Sequence, residues 1–109
     1  MDVQESIVAL AALGHPARLE AFRLLVRHEP DGLSTGELVE ATGLTQSTFS
    51  THLAVLARAG LVGAEKRGRQ MIQRARMERL RDLMLFLAKD CCQGRAELCE
   101  PLVAELSCC

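Results

Sequence analysis

Residues 34–60 read STGELVEATGLTQSTFSTHLAVLARAG, and the first part of this segment has the signature of a short helix. Ser34 is followed three positions later by Glu37, which is the capping-box arrangement found at helix N-termini. Gly43 is a residue type at which helices commonly end. The segment therefore predicts a short helix between Ser34 and Gly43.

The rest of the segment predicts a longer helix. Thr45 is placed to cap its start, and Gly60 is placed to end it. Apolar side chains recur between them at helical spacing, which predicts one side packed on a core. These side chains are Phe49, Leu53 and Leu56. Because the two helices are joined by a short turn that contains glycine, together they predict a helix-turn-helix.

Helical patterns also precede this motif. Residues 3–13 carry apolar residues at helical spacing and predict an amphipathic helix that ends at Gly14. A second helix is predicted from Pro16, which the first helical turn tolerates, until Pro30 and Gly32 break the pattern. Its apolar positions are Leu19, Phe22, Leu25 and Val26.

A β-hairpin and a last helix follow the motif. Residues 61–62 start a strand, residues 67–69 form a charged turn, and residues 71–72 belong to the return strand. The last helix is predicted from Arg76 to Cys92, with an apolar stripe along one side. The stripe consists of Met77, Leu80, Leu83, Met84 and Leu87. The sequence thus predicts a single domain over residues 1–109, mainly α with a small β-hairpin and about five helices.

The charge of the chain is unevenly distributed. Its formal net charge of -1 results from 13 basic and 14 acidic residues. Between residues 44 and 76, however, six basic residues stand against one acidic residue, Glu65, which gives a net charge of +5. Such a basic patch is expected where a protein binds phosphate groups, although a solvated charged face has the same composition. The six are Arg58, Lys66, Arg67, Arg69, Arg74 and Arg76.

The sequence also argues against several classes of protein. It contains no run of 18 apolar residues, so no membrane span is expected. Met1 is followed by acidic residues rather than by the basic and apolar stretches of a secretory signal, so we expect a cytoplasmic protein with reduced thiols. Nucleotide-binding motifs and a pocket-like set of His, Cys and Asp are missing from the sequence, so we expect neither an enzyme nor an organic cofactor.

The start of the longer helix of the helix-turn-helix is rich in short polar and amide side chains. Side chains of this kind reach base edges and phosphates from a helix N-terminus. Arg67 and Arg69, at the tip of the predicted hairpin, would reach phosphates or a minor groove. We therefore expect double-stranded DNA to contact these two arginines and six helix residues, which are Gln46, Ser47, Thr48, Ser50, Thr51 and His52.

Two strings of the sequence carry a resemblance to a known family. LAALGHPARLEAFRLL at residues 10–25 and LTQSTFSTHLAVLARAGLV at residues 44–62, with the hairpin at residues 68–69, resemble the ArsR/SmtB family of winged-helix metal-responsive repressors. The resemblance implies a winged helix-turn-helix and a homodimer joined through the first and last helices. It also implies that the ion-free protein binds operator DNA in front of a resistance operon and that ion binding releases it.

A cysteine-rich tail at residues 91–109 is the candidate sensing segment. If the last helix continued, Cys92 and Cys99 would lie about 10 Å apart along its axis, so we expect Gly94 to end the helix and the chain to fold back. Cys91, Cys92 and Cys99 would then share one ion. Three thiolates without a fourth good ligand suit trivalent arsenic or antimony better than zinc, which prefers four ligands.

The resemblance extends to arsenite sensors in which a vicinal cysteine pair and a third cysteine follow the last helix. Other members hold cysteines in the stretch that matches residues 34–40 or histidines in the last helix, and this sequence has neither. His15 is expected to cap or pack a helix rather than to bind an ion.

Two alternatives to the three-thiolate site stay open. Cys108 or Cys109 would supply a fourth sulfur for a cadmium, lead or zinc sensor. A thiol redox switch would instead oxidise Cys91 with Cys92, or Cys92 with Cys99, and release DNA in response to an oxidant.

Overall fold

The computed structural model describes residues 1–88 together with Pro101 and Glu105. Residues 1–88 contain five helices and three strands. In chain order they are α1 (Val3–Leu13), α2 (Pro16–Arg27), β1 (Leu33–Ser34), α3 (Thr35–Thr42), α4 (Gln46–Arg58), β2 (Val62–Arg67), β3 (Gln70–Ala75) and α5 (Met77–Ala88). The predicted continuation of the last helix to Cys92 lies outside the described residues.

The helix-turn-helix forms where the sequence predicts it, because its caps are local. At the start of α3, the Ser34 Oγ accepts from the Glu37 backbone N–H at 3.1 Å, and Glu37 Oε1 accepts from the Ser34 N–H at 2.9 Å. Thr45 Oγ1 accepts from the Thr48 N–H at 3.2 Å and so caps α4. Gly43 ends α3 with a φ of 72°, a conformation that favours glycine.

The predicted hairpin forms the larger part of a small antiparallel sheet. Strands β2 and β3 pair from Val62 opposite Ala75 to Arg67 opposite Gln70. A third strand, β1, pairs with the other edge of β3 and was not predicted. It has only two residues, too few for an alternating pattern, and Ser34 serves both as its last residue and as the cap of α3.

The core lies between the helices and one side of the sheet. Phe49 and Leu56 of α4 are buried and Leu53 packs against them, as predicted. Among the apolar positions of α2, Phe22 and Leu25 are buried, whereas Leu19 is 43% exposed and lies outside the core. The other large buried side chains of the described residues include Leu38 and Leu61 from the neighbouring elements, and Leu83 from α5.

Helices α1 and α5 leave large apolar side chains on the surface. The buried residues of α1 are small, namely Ser6, Ala9 and Ala12, and they allow α1 to pack closely on the rest of the molecule. Leu13 of α1 packs against the core, but most larger side chains of α1 are exposed, and in α5 only Leu83 is fully buried. The exposed set comprises Val3, Ile7, Val8 and Leu10 of α1 and Met77, Leu85, Phe86 and Leu87 of α5.

Arg79 of α5 connects three helices. Its Nη1 donates to Glu5 Oε2 of α1 at 2.9 Å, and its Nε donates to the carbonyl oxygen of Ala59, just after α4, at 3.3 Å. The Arg79 hydrogen bond is the largest cause of a lowered pKa at Glu5. The start of α5 is thereby attached directly to the end of the longer helix of the helix-turn-helix.

Within the described residues, no helix has both the length and the apolar character needed to cross a membrane. The helix-turn-helix of α3 and α4 is accompanied by α1, α2 and α5 and is followed in the chain by the β2–β3 hairpin. This is the winged helix-turn-helix that the sequence predicts.

Candidate nucleic-acid interface

The first half of α4 presents polar side chains to solvent. Phe49 and Leu56 fix the opposite side of this helix in the core, which leaves the polar side uncovered. Five of the six helix residues predicted to contact DNA are exposed there: Gln46, Ser47, Thr48, Ser50 and Thr51. The structure thus places them together on one accessible surface at a helix N-terminus.

The hydrogen bonds of this surface are short-range and leave capacity for a ligand. Thr45 Oγ1 donates to Thr48 Oγ1 at 2.9 Å, and Thr51 Oγ1 donates to the Ser47 carbonyl oxygen at 3.2 Å. Each hydroxyl oxygen keeps acceptor capacity beyond these contacts. The side chains of Gln46 and Ser50 make no hydrogen bond to any described residue. Amide and hydroxyl groups in this state can both donate to and accept from base edges.

His52 has different surroundings from the other five. It is half-buried, its Nδ1 lies 3.3 Å from Arg18 Nη1, and its ring centroid lies 4.5 Å from that of His15. Burial lowers the pKa of His52, and the charges of His15 and Arg18 lower it further. In this structure His52 contacts the start of α2, and a DNA contact by its side chain stays a prediction.

His15 itself caps α2, which agrees with the expectation for this residue. Its Nδ1 accepts from the Ala17 N–H at 3.1 Å, and Pro16 occupies the first helical position. Arg18 Nε in turn donates to the Ala12 carbonyl oxygen near the end of α1 at 2.6 Å. The N-terminus of α2 therefore links α1 to α4 through a small polar cluster.

The two hairpin arginines predicted to contact DNA, Arg67 and Arg69, differ in their contacts with the protein. Arg67 forms an ion pair with Glu65, and its Nη1 donates to the Asp31 carbonyl oxygen at 3.1 Å. Arg69, beyond the turn at Gly68, is exposed and has no ion pair or hydrogen bond within residues 1–88. Arg69 is thus available to a phosphate without losing a protein contact, whereas Arg67 must share or exchange its partners.

The basic patch is weaker in the structure than in the sequence count. Arg74 of β3 pairs with Glu29, which lies before β1 and outside the segment that was counted. Arg74 Nη2 lies 2.7 Å from Glu29 Oε2, and Arg74 Nε lies 3.3 Å from Glu29 Oε1. Sequence reasoning missed Glu29 because 45 positions separate the two residues and no local pattern connects them.

The predicted ion site falls on residues that the structure does not describe. All five cysteines, Cys91, Cys92, Cys99, Cys108 and Cys109, lie outside the described residues, so their grouping stays a prediction. In the part of the chain that the structure describes, no group of three or more His, Cys, Asp or Glu side chains is arranged to hold a metal ion.

Comparisons with known proteins agree with this geometry. A family described as "Helix-turn-helix domain" matches residues 13–62. The transcriptional activator HlyU of Vibrio cholerae is 32% identical over 90 residues, which cover 83% of this chain and 81% of HlyU. The solved structure of an ArsR-like transcriptional regulator from Rhodococcus sp. RHA1 has a TM-score of 0.73 at 27% identity, covering 93% of this chain and 89% of that one.

A further relative matches this chain at higher identity over a shorter length. The uncharacterized regulator Rv0081 of Mycobacterium tuberculosis is 44% identical over 61 residues, or 55% of this chain. The match spans only 51% of the length of Rv0081. In that match this chain therefore spans about half the length of Rv0081.

Proposed function

The chain belongs to the ArsR/SmtB family of winged-helix transcriptional regulators, and from this membership we propose that it is a dimeric repressor that binds operator DNA. Trivalent arsenic, or antimony, at Cys91, Cys92 and Cys99 releases the DNA. The observation that carries the DNA-binding part is the exposed polar first half of α4, together with Arg69 of the β2–β3 hairpin, which has no ion pair within residues 1–88.

The shape of the surface supports binding to duplex DNA. A recognition helix enters the major groove with its N-terminal residues nearest the base edges, and residues 46–51 occupy that position in α4. The β2–β3 hairpin, which we call the wing, lies beside the helix-turn-helix and offers Arg67 and Arg69 to the backbone or to the minor groove. The helix would read sequence, while the wing would supply charge.

The exposed apolar sides of α1 and α5 support a homodimer. Val3 is 62% exposed and Leu85 is 59% exposed, although both are large apolar residues. Extended apolar surface of this kind commonly marks a protein interface. A two-fold dimer would present two copies of α4 to half-sites about one helical turn of DNA apart.

The proposed inducer rests on the chemistry of the cysteine tail. Soft thiolates select soft ions, and three of them match the pyramidal coordination of trivalent arsenic. The family relationship supports a regulatory role for the segment after α5. The cadmium, lead or zinc alternative needs Cys108 or Cys109 as a fourth ligand, and the thiol redox alternative needs an oxidant instead of an ion.

A direct contact supports communication between the tail and the recognition helix. The tail continues from α5, and Arg79 of α5 donates to the Ala59 carbonyl oxygen just after α4. Ligand binding beyond α5 would change the dimer interface that α1 and α5 form between the two subunits. It would thereby change the spacing of the two copies of α4. A coupling of about 1 to 3 kcal/mol is typical of such a response.

The experiment is a titration of the full-length chain on duplex DNA from its own promoter, followed by fluorescence anisotropy. We expect arsenite to release the wild type but not the triple variant Cys91→Ser, Cys92→Ser, Cys99→Ser. The double variant Cys108→Ser, Cys109→Ser is the matched control and should still respond to arsenite.

Each alternative gives a different result in this titration. Release of the wild type by cadmium, lead or zinc rather than by arsenite, lost in the double variant, would favour the site with a fourth sulfur. Release by peroxide but not by arsenite would favour the redox switch. Release of the triple variant by arsenite would contradict both sites built on Cys91, Cys92 and Cys99.

The wing contact is tested separately by Arg69→Ala. If Arg69 neutralises a phosphate, the slope of log affinity against log salt should become shallower by about one. Arg81→Ala removes the same charge from an exposed position on α5 and should leave the slope unchanged, provided that both variants are dimers. An unchanged slope for Arg69→Ala would remove this residue from the interface.

A further inference from the structure

The segment between α2 and β1 supports the wing through two arginines on different strands. Glu29 holds Arg74 of β3 through both of its carboxylate oxygens, at 2.7 and 3.3 Å. The Asp31 carbonyl oxygen accepts from Arg67 at the end of β2, at 3.1 Å. We call residues 29–32 the brace, because one short segment contacts both strands of the wing.

The brace also touches β3 through its backbone. A Cβ added to Gly32 would lie 2.5 Å from the Gln73 carbonyl oxygen and 2.8 Å from Ile72 Cγ2. These distances are shorter than van der Waals contact, so the main chain of the brace lies directly against the strand. The position of the brace therefore depends on β3, and the position of β3 depends on the brace.

Besides the brace, the base of the wing is held by contacts of β3 with α2 and α3, by contacts of β2 with α4, and by β1. Strand β1 pairs with β3 through only two residues, Leu33 opposite Gln73 and Ser34 opposite Ile72. Strand β2 pairs with β3 alone among the described strands. Arg74 lies next to these two pairs, opposite Gly63 at the base of the hairpin, so its ion pair with Glu29 fixes the end from which the wing projects.

The two acidic partners of the wing differ in their environment. The Glu29 side chain is 17% exposed and engages Arg74 through two nitrogens, a geometry that holds the guanidinium in one orientation. The Glu65 side chain is 44% exposed and pairs with an Arg67 side chain that is 50% exposed. The first pair is suited to positioning, whereas the second is a solvent-screened surface pair.

From these contacts we infer that Glu29 is a positioning residue for DNA binding, because it holds the wing through Arg74 at the angle needed beside α4. The inference rests on the proposed DNA-binding function. Glu65 has the opposite effect: it competes with DNA phosphate for Arg67.

Positioning by Glu29 and simple electrostatics predict opposite changes in DNA affinity when Glu29 loses its charge. Glu29→Gln removes a negative charge from the neighbourhood of a basic surface, which by charge alone should strengthen DNA binding. If Glu29 positions the wing, the same substitution should weaken binding. Glu65→Gln is the matched control, since it removes the same charge from the wing itself and releases Arg67.

The experiment measures anisotropy of promoter duplex DNA with the full-length wild type and the variants at several salt concentrations. We expect Glu29→Gln to weaken binding about five-fold and Glu65→Gln to strengthen it about two-fold, as for the loss of single ion pairs. The salt slope of Glu29→Gln should become shallower as wing contacts are lost. Thermal unfolding of each variant identifies any general loss of stability.

A double-mutant cycle tests whether Glu29 acts through Arg74. In the Arg74→Gln background the positioning effect is already lost, so Glu29→Gln should weaken binding no further. The inference is overturned if Glu29→Gln binds as tightly as the wild type or more tightly, or if it still weakens binding in the Arg74→Gln background. Failure of the wild type to bind any duplex would overturn the proposed function and this inference together.

Discussion

Gly32 and Gly43 have nearly the same backbone conformation but very different surroundings. Their φ angles are 75° and 72°. A Cβ at Gly43 would have no atom within 4 Å, whereas at Gly32 it would meet the Gln73 carbonyl oxygen at 2.5 Å. Gly43→Ala should therefore cost about 1 kcal/mol of stability from backbone strain. Gly32→Ala adds a steric clash with β3 and should cost about 3 kcal/mol or more.

Urea denaturation of the two variants measures this difference. Backbone strain lowers the unfolding free energy of both variants by a similar amount. The additional loss in Gly32→Ala therefore reports the contact between the brace and β3. Equal losses of unfolding free energy at Gly32 and Gly43 would contradict the close approach.

These two glycines also mark what the sequence can predict at the residue scale. The role of Gly43 follows from its neighbours, since it comes at the end of a capped helix. Gly32 can be recognised as a helix breaker, but the strand that packs on it lies about 40 positions later in the sequence. Caps at Ser34 and Thr45 are local and were predicted, while Glu29 and its partner Arg74 were not.

Between elements, the contact of α4 with α2 is expected to be sensitive to acid. His52 accepts from Arg18 through Nδ1 and faces His15, so a proton on His52 would bring a positive charge against these groups. The pKa of His52 is lowered below its ordinary value of 6.5 by burial and then by these neighbours. The unfolded chain therefore binds more protons than the folded one at pH values between the two pKa values.

The sign of the pH dependence follows from this difference. The contribution of His52 to stability should be fully present above about pH 6.5 and should be lost as the pH falls through the folded-state pKa. We expect His52→Asn, which keeps an acceptor but has no charge to gain, to reduce this part of the acid sensitivity. The test is to measure the unfolding free energies of the wild type and of His52→Asn from pH 5 to pH 8. Identical pH profiles would contradict the assignment of this acid sensitivity to His52.

Helices and the hairpin were predicted because each has its own periodicity and end signals. Strand β1 was missed because its two residues carry no pattern and are defined by their pairing with β3. In α1 the pattern predicts a helix correctly, but it does not say which side is buried. The buried residues are small, and most of the large ones, such as Ile7, are exposed.

At the scale of the whole molecule, the basic patch illustrates the limit of counting charges along a sequence. The count between residues 44 and 76 includes Arg74, which is paired with Glu29 from outside that segment. It also treats Arg67 and Arg69 alike, although Arg67 is held by Glu65 and Asp31. The polar residues of α4 are exposed as a DNA-binding surface requires, but the effective charge of the candidate surface depends on long-range contacts.

Leu10 and Leu19 offer a matched test of how two chains associate. Both side chains are 43% exposed, and both lie on helices near the N-terminus. Leu10 belongs to the apolar surface shared by α1 and α5, whereas Leu19 lies on α2 outside it. Because neither position is buried, a glutamate at either one should cost the fold of a single chain little.

Leu10→Glu should nevertheless dissociate the proposed dimer, since it places a charge in the apolar seam between two subunits. Leu19→Glu should leave the dimer intact. Sedimentation at micromolar concentration measures the oligomeric state, and anisotropy measures DNA affinity. Since two half-sites must be bound together, the monomeric Leu10→Glu protein should lose most of its affinity for the promoter while keeping its helical circular dichroism. A Leu10→Glu variant that remains a dimer, or a Leu19→Glu variant that dissociates, would place the subunit seam away from α1 and α5.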